Sequence, residues 1–253
     1  MMPPLTLHTV MAKELADRLH HQLLDQERGN LYLGSTAPDL RIITRWERER
    51  THFFDLGNVE EQSSVAGLFR AHPGLARAAA LKGSTAAFIA GYLTHLVMDE
   101  MWITTIYRPF FGEGSSLAGD PRSNIMDRIV QFSIDRERRS DRAVVAHLLA
   151  EVARCDLALE VDFIDDETLR RWREVVMDVV SQPADWSRFR RVAERHLRGA
   201  GIETPEAWQE FLAALPDLLE QTLQYLTPER VHSFVEESGQ RGLETVKEYL
   251  ECA

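Results

Sequence analysis

Two side chains able to bind a metal stand one helical turn apart in the most apolar part of the chain. They are His95 and Asp99 in GYLTHLVMDEMW, Gly91 to Trp102. In a helix, positions i and i+4 share a face. Phe88, Ile89, Tyr92, Leu93, Leu96, Val97, Met98 and Trp102 leave little polar surface around the pair. A carboxylate in such surroundings costs several kcal/mol or takes up a proton, unless a cation or a metal stands beside it. An isolated His-x-x-x-Asp pair also fits an internal Asp–His⁺ hydrogen bond, or the polar edge of an amphipathic helix.

Further donors raise the weight of the pair. His8 precedes the first expected helix, Asp39 follows a Gly-Ser-Thr-Ala-Pro turn, and His52 lies in THFFDL beside apolar aromatics. Imidazole nitrogen and carboxylate oxygen suit zinc and related divalent ions. A site of two or three His plus Asp matches catalytic zinc better than the all-thiolate structural kind.

The elements that must position these residues read as helices. Apolar residues recur at three- and four-residue intervals and strand-like alternation is scarce, which predicts an all-α fold. Thr9 to Arg28 reads as the first helix, with Val10, Leu15, Leu19, Leu23 and Leu24 on one stripe and Gly29-Asn30 as its stop. LYLGSTAPDLR reads as a turn or irregular loop, because Gly34, Ser35 and Pro38 break the periodicity. Residues 63–81 read as helical with an interruption at His72-Pro73-Gly74, and 84–106 as a long buried helix. Arg108 to Ser123 reads as a loop with exposed Phe110 and Phe111. Helices are expected at about 124–138, 140–155, 166–181, 185–199, 205–213, 215–225 and 228–250. Asp166, Pro183, Thr204, Pro216 and Pro228 serve as their caps and breakers.

The whole chain narrows the function classes. Its 253 residues, 44% hydrophobic and 27% charged, fit one all-helical domain over 1–253. A net charge of -11 argues against a nucleic-acid partner and against adsorption to anionic membranes. Cys155 and Cys252 have no CxxC partner, so they read as a core residue and a tail residue rather than as a disulfide or thiolate site. The N-terminus lacks the basic and apolar regions of a secretory signal, and no apolar run approaches the roughly 20 residues of a membrane span. The expected location is cytoplasmic, without a stable membrane anchor.

The order LH, LGSTAPD, THFF and GYLTHLVMDEMW is similar to the bacterial zinc-dependent phospholipase C family, which shares its fold with the S1/P1-type nucleases. The resemblance covers Leu7 to Trp102. Its most specific parts are Leu33-Gly34-x-x-x-Pro38-Asp39 and Gly91-Tyr92-Leu93-x-His95-x-x-x-Asp99. It implies a multi-helix globular bundle of the phospholipase C / P1 nuclease type, holding zinc ions that bind a phosphate ester and activate water. It further implies Asp39, His52, His95 and Asp99 as ligands of one zinc, with Asp99 bridging to a second and His8 as the N-terminal histidine ligand. Asp39 is then the base toward the attacking water.

Two features depart from the family pattern. The chain keeps Met-Met-Pro-Pro where secreted members use a processed N-terminal amine as a ligand, and EMWITTIYRPFF lacks the histidine expected after Asp99. His147-x-x-x-Glu151 has the form of the family's last helical ligand pair but lies farther downstream; it otherwise reads as a core-edge His and a surface Glu. The expected cofactor is zinc, one to three ions, with a one- or two-metal site favoured.

The expected activity is hydrolysis of a small-molecule or lipid phosphoester. The competing readings are an iron or manganese enzyme on the same residues, and a non-catalytic helical binding protein with a structural metal. His20, His21, His72, His196 and His232 read as structural or surface residues. Arg45, Arg48 and Arg50 could orient a substrate phosphate, although RWERER also reads as a solvated helix face.

Overall fold

A computed structural model describes residues 4–183 and 185–251, apart from the side chains of Ser187 and Val192. Every regular element among the described residues is helical, as the periodicity predicts. In chain order these are α1 (Leu5–Leu19), α2 (Gln22–Gln26), α3 (Arg28–Gly34), α4 (Arg41–Thr44), α5 (Glu49–His52), α6 (Ser64–Ala71) and α7 (Gly83–Met101). Then follow α8 (Ser123–Arg138), α9 (Arg142–Arg154), α10 (Asp166–Ser181), α11 (Phe189–Gly199), α12 (Pro205–Leu226) and α13 (Pro228–Glu251). Tight helical turns occur at Ala37–Leu40, Pro73–Leu75, Ala78–Ala80 and Trp186–Arg188, and a wider π-helical stretch runs from Trp102 to Phe111. Among the described residues no helix is long and apolar enough to cross a membrane.

The chain divides into two compact units, where its length and composition read as one domain. The first unit comprises Leu5–Glu100, Asp141–Gln182 and the residues from Ser238 on. Its core gathers Leu15, Leu31, Leu33, Phe88, Leu148 and Trp172, among others, and Cys155 is buried there as expected. Cys252 lies outside the described residues.

Four local expectations in this unit are corrected. The first helix begins at Leu5, so His8 lies inside it rather than before it, and it ends at Leu19, where His20 takes a left-handed φ of 49°. Gly29-Asn30 does not stop a helix but sits within α3. A Cβ on Gly29 would lie 2.2 Å from the Glu151 carbonyl oxygen of α9, so the absent side chain serves helix contact rather than chain reversal. LYLGSTAPDLR is not an irregular loop either: it carries α3 to Gly34 and then the turn Ala37–Leu40. The α7 segment is buried continuously from Ser84 to Asp99, as its composition predicts. Asp165 rather than Asp166 caps α10, accepting from the Thr168 N–H.

The second unit comprises Pro4, Met101–Ser140 and the described residues of Pro183–Glu237. Ile125, Ile129 and Phe132 of α8 pack with Phe189 and Leu197 of α11 and with Phe211 of α12. Pro216 does not separate two helices, because α12 runs through it. The proline removes one hydrogen bond and crowds the preceding turn. The buried stripe Trp208, Phe211, Leu215, Thr222 and Leu226 continues on both sides and holds the helix together. Phe110 and Phe111 are half-buried and buried rather than exposed. Both pack edge-on against Tyr225, whose hydroxyl donates to the Phe110 carbonyl at 3.0 Å.

Candidate metal centre

Five predicted donors meet in the first unit. His8 comes from α1, Asp39 from the turn Ala37–Leu40, His52 from the end of α5, and His95 and Asp99 from successive turns of α7. All five are buried, with at most 3% of their surface exposed. His8 and His95 stack with ring centroids 3.8 Å apart, and the His52 ring meets His95 edge-on at 5.3 Å.

The Asp99 carboxylate is the centre of the group. Its Oδ1 lies 3.5 Å from His8 Nε2; its Oδ2 lies 3.3 Å from His52 Nε2 and 3.7 Å from His95 Nε2. Asp39 Oδ1 stands 3.7 Å from His52 Nε2. Two overlapping sets, His8–Asp39–His95 and His52–His95–Asp99, place one ligand atom from each residue within 4.8 Å of the others.

The side chains are held from behind. His95 Nδ1 lies 2.8 Å from the Ser35 carbonyl oxygen, which can only accept, so the proton sits on Nδ1 and the Nε2 lone pair points inward. Such a bond fixes the tautomer and orientation of a ligating histidine. The contact depends on glycines: a Cβ on Gly34 would lie 2.0 Å from the Phe88 carbonyl oxygen, and one on Gly91 would lie 2.0 Å from that of Leu31. On His52, Nδ1 meets the Thr51 hydroxyl at 2.9 Å, and the Tyr92 hydroxyl donates to the Thr51 carbonyl at 2.5 Å.

What remains on the inner side has no hydrogen-bond partner. His8 Nδ1 and Nε2, His52 Nε2, His95 Nε2, Asp39 Oδ1 and Asp99 Oδ1 are all buried and make no hydrogen bond to any described residue. Buried polar groups are nearly always satisfied. Lone pairs facing one another across a few ångströms repel, and a cation among them converts the repulsion into bonding. The residues present therefore fit a divalent ion of the zinc type in donor chemistry.

Electrostatics agree with a missing positive charge. Burial, reinforced by the charge on Asp99, pushes the Asp39 carboxyl up to about 7. Burial lowers His52 to about 3 and also lowers His8, keeping both rings neutral as ligands must be. Burial works against ionisation of Asp99 too, but a positive charge among His95, His52 and His8 outweighs it and holds the carboxyl well below its usual range, so this carboxylate also calls for a cation beside it.

Arg48, which the sequence offered either as a phosphate-orienting group or as part of a solvated face, is buried at the site. It is 7% exposed and donates from Nη2 to Asp99 Oδ2 at 2.9 Å and from Nη1 to the Phe54 carbonyl at 3.4 Å. A signal was present: Arg48-x-x-x-His52 repeats the one-turn spacing of His95-x-x-x-Asp99. Its neighbours fit the solvated reading, since Arg45 is exposed and Arg50 lies over the Trp46 ring at 3.7 Å.

His147 and Glu151 belong to neither donor set. His147 Nε2 meets the Tyr32 hydroxyl at 3.2 Å, and Glu151 pairs with Arg154, which matches the core-edge and surface alternative. His72 pairs with Asp162 and stacks on Phe163, and His232 pairs with Glu236 at the surface. His20 is exposed, and His21 is partly buried. His196 is partly buried, and burial lowers it to about 4.

No protein family, curated protein or solved structure matches the chain.

Proposed function

We propose that His8, Asp39, His52, His95 and Asp99 hold a divalent metal ion, zinc by donor type, and that the protein is a metal-dependent phosphoester hydrolase. The observation that carries the metal reading is the convergence of buried, unpartnered ring nitrogens and carboxylate oxygens from three histidines and two aspartates. A divalent ion at such a site supplies Lewis acidity toward a phosphoryl oxygen and brings the pKa of water to about 7.

The chain's own groups divide the remaining work. His95, held at Nδ1 by Ser35, and His52, held at Nδ1 by Thr51, turn their Nε2 atoms toward the ion. Asp99 stays ionised and supplies charge. Asp39, the second carboxylate of the group, is the candidate to take a proton from an attacking water. The substrate class follows from the resemblance to the phospholipase C family: a phosphomonoester or phosphodiester, free or on a lipid. Iron or manganese would meet the same donors.

The near-complete burial of the donors favours a second reading, in which the ion is structural and there is no turnover. Elemental analysis of protein purified without added metal identifies the ion. Turnover of nitrophenyl phosphate, bis-nitrophenyl phosphate and phosphatidylcholine, with and without chelator, then separates the readings. Chelator-sensitive hydrolysis restored by zinc supports the hydrolase. Bound metal with no hydrolysis supports the structural ion, and hydrolysis indifferent to chelator overturns the proposal.

A further inference from the structure

Resting on the metal-binding reading above, we infer that the site is built for one ion, with the Arg48 guanidinium standing where a second cation would otherwise be needed. Three observations carry this.

The first is a count of lone pairs. The two donor sets share His95. Its Nδ1 proton is committed to the Ser35 carbonyl, so Nε2 offers a single lone pair, and one imidazole lone pair serves one ion. Filling one set therefore takes one of the other's two histidines: with His95 given to His8 and Asp39, the other set keeps His52 and Asp99, too few to hold a second ion tightly unless Asp99 gives both of its oxygens.

The second is the state of Asp99. A carboxylate bridges two ions by giving one oxygen to each. Here Oδ2 already accepts from Arg48 Nη2 at 2.9 Å, while Oδ1 is buried and unpartnered. One oxygen is occupied by a fixed cation and one is available.

The third is charge. In the state that ligation requires, ionised carboxylates and neutral imidazoles, two aspartates, three histidines and the Arg48 guanidinium leave one net negative charge in a pocket whose donors are at most 3% exposed. One divalent ion turns this into one net positive charge, which a hydroxide or an anionic substrate balances. Two ions would bury three net positive charges, and uncompensated buried charge is strongly unfavourable. Arg48 cannot relieve this by losing its proton.

The test is a zinc count. Wild-type protein is saturated with zinc, freed of excess by gel filtration and analysed for zinc per chain, beside Arg48→Met and Arg48→Gln. Both variants remove the charge; the glutamine also retains a donor for the Phe54 carbonyl, in case the methionine variant does not fold. The expected result is one zinc per wild-type chain and a second equivalent in whichever variant is folded, as Asp99 Oδ2 is released. Two zinc ions in the wild type overturn the inference and leave the metal reading standing; none overturns both. One zinc in the wild type and one in the folded variants overturns the role given to Arg48. The wild-type count decides the single-ion claim even if neither variant folds.

Discussion

His95 donates from Nδ1 to the Ser35 carbonyl oxygen at 2.8 Å, a bond that exists because α3 and α7 touch backbone to backbone. A Cβ on Gly91 would lie 2.0 Å from the Leu31 carbonyl oxygen and 2.7 Å from the Ser35 nitrogen. Neither atom is the end of a flexible side chain, so Gly91→Ala must push the helices apart. Overpacking of this kind costs about 1–3 kcal/mol. Loss of the partner that orients a ligating histidine costs about 10–100-fold in metal affinity. Urea denaturation and competition with a chromophoric zinc chelator measure the two effects. Zinc affinity equal to wild type in the folded variant would show that the Ser35 contact does not set the site.

The Tyr92 hydroxyl reaches the same site through Thr51. It donates to the Thr51 carbonyl at 2.5 Å, and the Thr51 hydroxyl meets His52 Nδ1 at 2.9 Å. Tyr92→Phe keeps the ring in the core and removes only this donor. Stability is expected to fall by about 1 kcal/mol. Zinc affinity is expected to fall by about tenfold, the low end for an indirect partner. A variant that loses stability with no change in zinc affinity would confine Tyr92 to packing.

The all-helical class and the His95–Asp99 pair were legible because each depends on short-range pattern. His95 and Asp99 fall one turn apart in a segment too apolar to tolerate them unpaired, and the structure buries both. The glycines were misread because their reason is not local. Gly29 and Gly34 resemble breakers in sequence, while the demand they answer comes from α9 and from Phe88 of α7, far along the chain. Pro216 was misread in the mirror sense, since a local breaker was overridden by apolar residues buried on both sides. Arg48 was named as a possible phosphate-orienting group but could not be told from Arg45 and Arg50: five of the six residues in RWERER are charged, and the meeting with Asp99 singles out one of them.

His147 and Glu151 give a discriminating comparison. Their spacing matches a ligand pair, but His147 bonds to the Tyr32 hydroxyl and Glu151 pairs with Arg154. His147→Ala is expected to leave zinc content per chain unchanged, whereas His95→Ala abolishes tight binding. Glu151→Gln removes only a largely exposed ion pair and is expected to change stability by less than about 1 kcal/mol. A drop in zinc content in either of the His147 or Glu151 variants would return the pair to the site.

Asp39 makes the site's charge balance visible in a pH series on metal-free protein. In the folded chain its carboxyl keeps a proton up to about 7, whereas the ordinary value is 3.8. The folded state therefore binds more protons than the unfolded state between these limits, and stability falls as pH rises through them. The contribution is complete below the unfolded value and gone above the folded one. His52, lowered to about 3, acts with the opposite sign: its neutral ring favours the folded state above 6.5, and that advantage erodes as pH falls. Asp39→Asn is neutral throughout, so the difference between variant and wild type isolates the carboxyl from His52. In chelator, the variant should gain on the wild type by on the order of 1 kcal/mol for each pH unit climbed between the two limits. Urea denaturation of both proteins at about pH 4 and about pH 8 measures the gap, and an equal gap at both would remove Asp39 from the buried charge cluster. With zinc bound the order should reverse at the higher pH, because the wild-type carboxylate is then compensated by the ion and the amide is a poorer ligand.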